Sequence, residues 1–474
     1  MILLKNLTNS GTFTPQRVFL FTAIIWGSLT VFITPPFQVP DEPNHFLRAF
    51  QIASGDLLPE NQNNRVGGFV PSSLEKTILL FINIPFHPDQ KMTYEKIHLS
   101  LQYSLTAEKK SFVSFPNTST YAPVLYLPQS LAVFIFKIFN TPPIILMYAA
   151  RLFNLFSWII LVFLALSLVP VYKWLFMLLA LTPMSVFQAS SLSVDAITNG
   201  VAFLFISMIF RLAFDKNVRF KKTDFFYLSI LLMFLTLSRY AYCFLYVLFF
   251  LIPPGKSGSR QKYMLAAFGL FLIICCTLFT GGYYVKHIYD SVDIAVNFYG
   301  DNQKIIQPYL QIQFIFTHAI YYLKTILVTF WTNNLFIPSF IGNLGWLDTP
   351  LPNIYIGCSI LTLLAVSMCD SNKNVNISII NKLIIFTSII SVIFIICLLL
   401  YLSWTPVGSP TIDGIQGRYF IPVAPLIFSL FYNRNLNLPV NTIKIISLIY
   451  IAISFVVMNH ALISRYYFSL PGPF

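Results

Sequence analysis

Long apolar stretches alternate with shorter polar ones along the chain, from about residue 17 to residue 461. A run of about 20 apolar residues can cross a bilayer as a helix, and a helix satisfies its own backbone hydrogen bonds there. The pattern therefore predicts an all-α fold, a polytopic transmembrane helical bundle of about eleven spans. No repeat or low-complexity tract divides the sequence, so we treat residues 1–474 as one membrane domain.

Two polar loops interrupt this pattern, at residues 35–119 and 285–352, and the first carries about half of the 17 acidic residues. The apolar run at residues 121–139 is short and contains prolines, so we expect it to lie at the membrane surface or to be re-entrant. We expect surface helices in the first loop for this reason. Residues 314–331 are either interfacial or a further span, and the pattern leaves both alternatives open.

Charge fixes the expected orientation. The net charge is +13 although only 10% of residues are charged, and the basic residues fall mostly in short loops between apolar runs. Basic residues mark cytoplasmic loops, so Lys5 and Arg17 predict a cytoplasmic N-terminus, and both large loops become extracytoplasmic. This explanation accounts for the basic character without nucleic acid, and we expect membrane lipid to surround the chain.

The most informative polar segment directly follows the first span and reads Pro35-Pro-Phe-Gln-Val-Pro-Asp41-Glu-Pro-Asn-His45-Phe-Leu-Arg48. Asp41 suits a helix N-cap, and Pro43 suits the first helical turn. Gly55 is a typical C-terminal stop, so the sequence predicts a helix that ends at Ser54.

On this helix Asp41, His45 and Arg48 are expected near one face. One interpretation is that Asp41 caps the helix and that His45 and Arg48 lie on its solvated face. The other gives Asp41 a catalytic role as the general base that removes a proton from an acceptor hydroxyl, with Glu42, His45 and Arg48 contacting substrate. A divalent cation held by Asp41 with Glu42 or His45 is a further alternative, and no metal ligand is assigned.

Polar residues at the ends of later spans add candidates. Asp195 lies between two apolar runs and is either a helix N-cap or a second catalytic acid. Arg418, in Gly417-Arg418-Tyr419, lies at the expected depth of lipid phosphates, where a guanidinium either binds a lipid-linked phosphate or snorkels to headgroups. Arg239, at a tight turn, is a second phosphate candidate or a helix-end anchor. We include Tyr419 among the substrate-binding candidates.

Asp348 is the remaining candidate for substrate binding, in the second large loop beside Trp346. One interpretation is a structural turn, because the segment is rich in turn-forming Gly, Asn and Pro. The functional alternative is that Trp346 stacks on a sugar. The sequence contains no P-loop, no nucleophile elbow and no zinc motif.

The segment from Pro35 to Arg48 resembles the opening signature of a bacterial family of polytopic membrane proteins of unknown function, which carries Pro-Asp-Glu-x-x-His after its first helix. The segments 190–199, 340–352 and 417–422 are similar to later landmarks of that family. The resemblance extends over nearly the whole chain and implies the bacterial inner membrane as its location.

The layout is also similar to that of GT-C glycosyltransferases, such as protein O-mannosyltransferases and aminoarabinose transferases. That resemblance implies acids in the first two outer loops, which Asp41 and Asp195 match, and an arginine near the donor phosphate, which Arg418 or Arg239 matches. It implies a polyprenyl-phosphate-linked sugar as donor and a cell-envelope glycan or another hydroxyl compound as acceptor.

These expectations leave three hypotheses. The first is a GT-C-type glycosyltransferase acting at the outer face of the inner membrane, in which Asp195 positions the acceptor or shares a cation. The second is a transporter or flippase of a lipid-linked or polar solute, although such proteins place their charges near the membrane midplane. The third is a non-catalytic assembly protein of the cell envelope, which predicts that Asp41 and Asp195 tolerate substitution.

Overall fold

The computed structural model describes residues 13–63, 65–105, 110–289, 306–436 and 438–468. Residues 290–305, a part of the second predicted loop, lie outside the described residues. The described chain is mostly helical, as the apolar pattern predicts. Its helices are α1 Pro15–Ile33, α2 Glu42–Ala53, α3 Ser72–Leu79, α4 Tyr94–Gln102, α5 Pro116–Ser119, α6 Leu127–Ile138, α7 Pro143–Leu168, α8 Lys173–Ala180, α9 Pro183–Ala189, α10 Asp195–Phe214, α11 Lys222–Ser238, α12 Arg260–Tyr289, α13 Pro308–Thr317, α14 Ala319–Thr332, α15 Phe336–Ile341, α16 Asn353–Cys369, α17 Ile379–Ser403, α18 Ala424–Ser429 and α19 Val440–Tyr466.

Short 3-10 helices connect several of these elements, at Pro123–Tyr126, Tyr240–Leu251, Pro254–Ser257 and Gly417–Val423. Two small antiparallel sheets complete the fold. The strands are β1 Glu60–Gln62, β2 Arg65–Pro71 and β3 Lys110–Ser114 in the first sheet, and β4 Asn343–Leu344 and β5 Thr349–Pro350 in the second.

Six helices in the described part of the chain are long and apolar enough to cross a membrane, namely α1, α7, α10, α12, α17 and α19. The pair α13 and α14 would add a seventh, but the chain bends by 107° between them, beside His318. Shorter apolar helices occupy Pro123–Ile138, Tyr240–Leu251 and Asn353–Cys369. The multi-pass membrane architecture is confirmed, whereas the expected number of about eleven spans stays a prediction.

The first two of these spans, α1 and α7, run in opposite directions, which the contacts between their ends show. Gln16, at the start of α1, donates a hydrogen bond to the Leu166 carbonyl at the end of α7. Arg151, in the first half of α7, binds the Val31 carbonyl at the end of α1. We call the end of the bundle with Ile33 and Asp195 the upper end, because α1 finishes and α10 begins there.

The opposite, lower end carries the strongest basic cluster of the sequence. The Lys256 side chain binds the Asp215 carbonyl just after α10, and the Phe220 amide binds the Lys256 carbonyl. The end of α10 and the start of α11 are therefore next to the segment that begins α12. The basic residues of this region are Arg211, Lys216, Arg219, Lys221, Lys222, Lys256, Arg260 and Lys262.

At the upper end, α2 follows α1 and packs against the first sheet. The helix ends at Ala53, and Gly55 has a left-handed φ of 97°, as the predicted stop requires. Gln51 donates hydrogen bonds to the carbonyls of Leu58 (3.2 Å) and Gly67 (3.3 Å), which join the helix to the sheet. The first loop is thus a folded cap on the bundle.

The segment Pro123–Ile138 lies beside α2 along its whole length. The Tyr126 hydroxyl is 2.8 Å from the His45 imidazole near the start of α2, and the Lys137 amine is 2.8 Å from the Ser54 hydroxyl at its end. Both ends of the segment therefore accompany a helix of the first loop. The segment therefore packs with the folded first loop, and its surface or re-entrant position stays a prediction.

Candidate functional site

A cavity of about 620 Å³ opens at the upper end of the bundle. Its walls come from the start of α2, the α5 region, the turn after α11, the end of α17 and the 3-10 helix Gly417–Val423. Loops that are distant in sequence meet here because each follows or precedes a membrane helix at the same end. The polar side chains on its wall include those of Asp41, His45, Asn117, Thr118, Tyr121, Arg239, Ser403, Gln416, Arg418 and Tyr419.

Asp41 occupies the N-cap position of α2 but does not cap it. Its φ is +62°, in the left-handed region, and its carboxylate makes no capping hydrogen bond within the described part of the chain. A capping side chain normally sits on extended backbone, so the positive φ turns this carboxylate away from the helix. Asn117 instead donates a hydrogen bond of 2.8 Å to Asp41 Oδ1, and Asn44 donates one of 2.6 Å to Asn117.

His45 lies one helical turn further on and is 5% exposed. Burial lowers the pKa of its imidazole, and the negative charges of Asp41 and Asp195 oppose this only in part. The ring is therefore neutral at pH 7, with Nδ1 2.8 Å from the Tyr126 hydroxyl. Burial also raises the pKa of the neighbouring Tyr121 to about 12, so this phenol keeps its proton.

Two arginines share one aromatic ring on the cavity wall. The guanidinium carbon of Arg239 is 3.8 Å from the centre of the Tyr419 ring, and that of Arg418 is 5.6 Å from it. Gln416 holds Arg418 by accepting a hydrogen bond of 2.6 Å from Nε. Two cations so close repel one another, and an anion between them would relieve the repulsion.

The terminal nitrogens of Arg418 have no hydrogen-bond partner among the residues that the structure describes. They belong to a side chain that lines the cavity, although the residue is only 7% exposed. A planar guanidinium with two free donor groups matches the oxygens of a carboxylate or phosphate. A carboxylate or phosphate at this wall of the cavity would therefore meet two guanidinium groups.

Asp195 lies in the first turn of α10, behind Arg239. Its Oδ1 is 3.5 Å from the Arg239 guanidinium, and its Oδ2 accepts a hydrogen bond of 2.9 Å from Gln188. Asp41, His45 and Arg418 line the cavity, and Asp195 adjoins it through its contact with Arg239. The Asp195 side chain is 14% exposed and orients Arg239.

Gly417 is needed for packing rather than for the approach of a ligand. A Cβ there would overlap the Phe336 carbonyl and the Phe340 amide, and the Gly417 amide donates a hydrogen bond of 2.7 Å to Ser339. The absence of a side chain lets the Gly417–Val423 segment lie against α15. This contact fixes the backbone from which Arg418 and Tyr419 project.

Glu42 points away from the cavity, contrary to the prediction that it contacts substrate. It forms a fully buried ion pair with Arg151, whose Nε donates a hydrogen bond of 2.8 Å to Oε1. The same guanidinium donates to the carbonyls of Val31, Thr34 and Pro35. A carboxylate held this way neither shares a cation with Asp41 nor reaches a ligand, and it locks the end of α1 to α7.

Arg48 also departs from the expected convergence with Asp41 and His45. Its guanidinium binds Gln51, the Leu57 carbonyl and the Tyr284 hydroxyl, the last two at 2.7 Å and 2.9 Å. Seven residues along a helix advance about 10 Å, which places Arg48 beside α12, away from the start of α2. It joins the first loop to α12 and is fully buried.

Asp348 lies beside the cavity lining, and both of its carboxylate oxygens accept hydrogen bonds from other parts of the protein. Arg465 donates a hydrogen bond of 2.8 Å to Oδ2, which also accepts one of 3.0 Å from the Phe86 amide. Oδ1 accepts hydrogen bonds of 3.1 Å each from the Trp346 amide and the Thr349 hydroxyl. The carboxylate organises the neighbouring loops, and direct substrate binding by Asp348 finds no support in this geometry.

Sequence reasoning missed Asn117, Tyr121, Tyr126 and Gln416. Gln416 stands two residues before Arg418, which is the one available hint, because short-range pairs of this kind recur in turns. Asn117 lies at the end of the first loop, and Tyr121 and Tyr126 begin the proline-containing run at residues 121–139, where no pattern marked them. In the part of the chain that the structure describes, no group of three or more His, Cys, Asp or Glu side chains is arranged to hold a metal ion.

Fold and site together define a multi-pass membrane protein whose cavity, at one end of the bundle, is lined by a carboxylate and two arginines. The family described as "Predicted membrane protein (DUF2142)" matches residues 24–427, so the chain belongs to this family. That family has no assigned function, which agrees with the resemblance to a family of membrane proteins of unknown function. No curated protein and no solved structure matches the chain.

Proposed function

We propose that the protein is a GT-C-like glycosyltransferase of the bacterial inner membrane. It moves a sugar from a polyprenyl-phosphate donor to a hydroxyl of a cell-envelope glycan or similar acceptor. The observation that carries this proposal is one cavity with a carboxylate, Asp41, and a pair of arginines, Arg239 and Arg418. An acid suited to activate an acceptor and cations suited to a leaving phosphate are the two requirements of this reaction.

The reaction assigns one role to each group. Asp41 accepts the proton of the acceptor hydroxyl while the hydroxyl oxygen forms a bond to the anomeric carbon of the donor sugar. The bond from that carbon to the phosphate oxygen breaks, and the phosphate leaves with the electron pair. Arg418 and Arg239 stabilise the negative charge that the leaving polyprenyl phosphate gains.

The hydrogen bond from Asn117 prepares Asp41 for this role. It fixes one carboxylate oxygen at 2.8 Å and leaves the other for the acceptor. Asn117 is itself held by Asn44, so the carboxylate has a defined direction before substrate arrives. Such preorganisation is worth more to catalysis than contacts that form only on binding.

The position of the cavity suits an amphipathic donor. Polar groups of the wall adjoin apolar ones from the end of α17, such as Leu400 and Trp404, and from the start of α13, such as Pro308. A lipid-linked sugar places its phosphate at the membrane surface and its chain in the apolar region. In this cavity the phosphate of the donor would bind the arginines at the membrane surface. Its isoprenoid chain would extend towards the apolar residues of α13 and α17.

Orientation supports a lipid-linked donor. The basic cluster lies at the lower end, and basic loops face the cytoplasm, so the cavity opens on the outer side. Nucleotide sugars are absent outside the membrane, and a lipid carrier supplies the sugar there. A divalent cation is a separate alternative for phosphate binding, and transfer assays with and without EDTA decide it.

The experiment is a transfer assay with purified protein in liposomes. Short-chain polyprenyl phosphates carrying glucose, mannose, galactose, N-acetylglucosamine or arabinose are supplied one at a time, together with envelope glycan extract. We expect release of free polyprenyl phosphate from at least one donor, and only when extract is present. Movement of an intact fluorescent donor across the bilayer without cleavage would instead support the flippase alternative.

A further inference from the structure

We propose that Trp346 and Phe86 form an acceptor subsite that stacks on a pyranose ring, so that the acceptor is a glycan. Both side chains line the same cavity as Asp41. Their rings are 6.1 Å apart and nearly perpendicular, at 63°. The role of this sugar as the acceptor rests on the proposed transferase, whereas sugar binding here is inferred from the positions of the two rings alone.

Trp346 is fixed to the segment that carries the general base. Its indole N–H donates a hydrogen bond of 3.0 Å to the Phe37 carbonyl, four residues before Asp41. A tryptophan that anchors a protein at the membrane surface directs its N–H to water and headgroups. Here that N–H is bound inside the protein, and the ring remains half-buried at the cavity wall.

The Asp348 carboxylate sets the positions of both aromatic residues. It accepts hydrogen bonds from the backbone amides of Phe86 (3.0 Å) and Trp346 (3.1 Å), one on each oxygen. The buried Arg465 balances its charge at 2.8 Å. One ion pair therefore holds two loops that are 260 residues apart in sequence (86 to 346) in a fixed relation.

The backbone at this place is strained. Phe86 has a φ of 63° and Leu347 a φ of 65°, in the left-handed region that residues with side chains rarely adopt. The Phe86 ring, 63% exposed, is presented to the cavity and is not packed in the core. Strained residues persist where the surrounding structure holds them, and they gather at ligand sites.

An aromatic pair with few free polar groups suits one side of a sugar ring. The flat face of a pyranose carries C–H groups, which pack on the negative face of an aromatic ring, and its hydroxyls remain at the edge. A hydroxyl at that edge is then directed towards the region of the cavity that Asp41 occupies. An extended peptide would require backbone donors and acceptors along the wall, and stacked rings do not provide them.

The test measures sugar binding without any donor. Saturation-transfer NMR on protein in nanodiscs is run with methyl glycosides of hexoses, N-acetylhexosamines and pentoses, their β-linked disaccharides, and a Ser/Thr-rich peptide. We expect at least one glycoside to bind, and at least tenfold weaker binding after Phe86→Leu. Phe86 is the informative position because its side chain is mostly exposed, so that replacing the ring removes little packing. Trp346→Phe should retain binding.

Trp331→Leu is the matched control, because this tryptophan is 89% exposed on α14 and does not line the cavity within the described residues. Binding that is unchanged in Phe86→Leu, binding of the peptide alone, or binding of no glycoside would overturn the subsite. Glycoside binding without donor cleavage would overturn the proposed transferase and leave the subsite standing. Donor cleavage without glycoside binding would do the reverse.

Discussion

The guanidinium of Arg239 stacks on the Tyr419 ring at 3.8 Å, and Arg418 approaches the same ring at 5.6 Å. The ring holds the two guanidinium groups near each other, where both could bind one phosphate. Removing it with Tyr419→Leu should raise the donor KM roughly 2- to 30-fold, since a cation–π contact contributes about 0.5–2 kcal/mol. Tyr419→Phe keeps the ring face and should behave like the natural protein. Equal effects of the two substitutions would argue against the stacking role.

The buried pair of Glu42 and Arg151 should matter for stability and not for donor binding. Arg151→Met leaves a buried carboxylate without its partner, which costs about 3–5 kcal/mol in comparable cases. The melting temperature in detergent should therefore fall for Arg151→Met and for Glu42→Gln. The double variant Glu42→Gln with Arg151→Met should lose less than the sum of the two single losses. Glu75→Gln, at an exposed position of α3, is the control that should change nothing.

The pH dependence of stability should depend on His45. Burial lowers its pKa below the value of about 6.5 that a free histidine has, so near that pH the unfolded chain binds more protons than the folded one. The stability that neutral His45 gives the folded protein is fully present above about pH 6.5 and is lost as the pH falls below that value. When the pH is lowered from about 8 to about 5, the melting temperature of His45→Gln should fall less than that of the natural protein. Parallel curves for the two proteins would contradict this assignment.

Asp195 should act through Arg239. Asp195→Asn and Arg239→Gln should each lower transfer, and the double variant should be no worse than Arg239→Gln alone. Groups that work as a unit give non-additive losses of this kind, whereas independent groups give losses that add. A double-mutant cycle of kcat/KM measures the difference. Additive losses would show that Asp195 contacts substrate by itself.

The sequence predicts much of the architecture because apolar length is a direct requirement of the bilayer. It also indicates Asp41, Asp195, Arg239 and Arg418, since polar residues at span ends collect at two surfaces only. The structure adds that Asp41, Arg239 and Arg418 line one cavity at the upper end and that Asp195 contacts Arg239. Predicting the spans and the polar residues at their ends needs no knowledge of long-range contacts.

The remaining site residues depend on such contacts. Arg48 binds Tyr284, 236 residues later, and Asp348 binds Arg465, 117 residues later. An acid or an arginine that has a buried partner looks the same in sequence as one that faces a ligand. For this reason Glu42, Arg48 and Asp348 were assigned to substrate from the sequence, and the structure gives each a protein partner.

Donor affinity and transfer rate measured together for Asp41→Asn test the central claim most directly. The substitution keeps the size of the side chain and removes its ability to accept a proton. We predict that binding of the polyprenyl-phosphate donor stays within about threefold of the natural protein, while transfer falls about 10²- to 10⁴-fold. Asp56→Asn, an exposed acid of the same loop, should transfer normally. Transfer at the natural rate by Asp41→Asn would contradict the account.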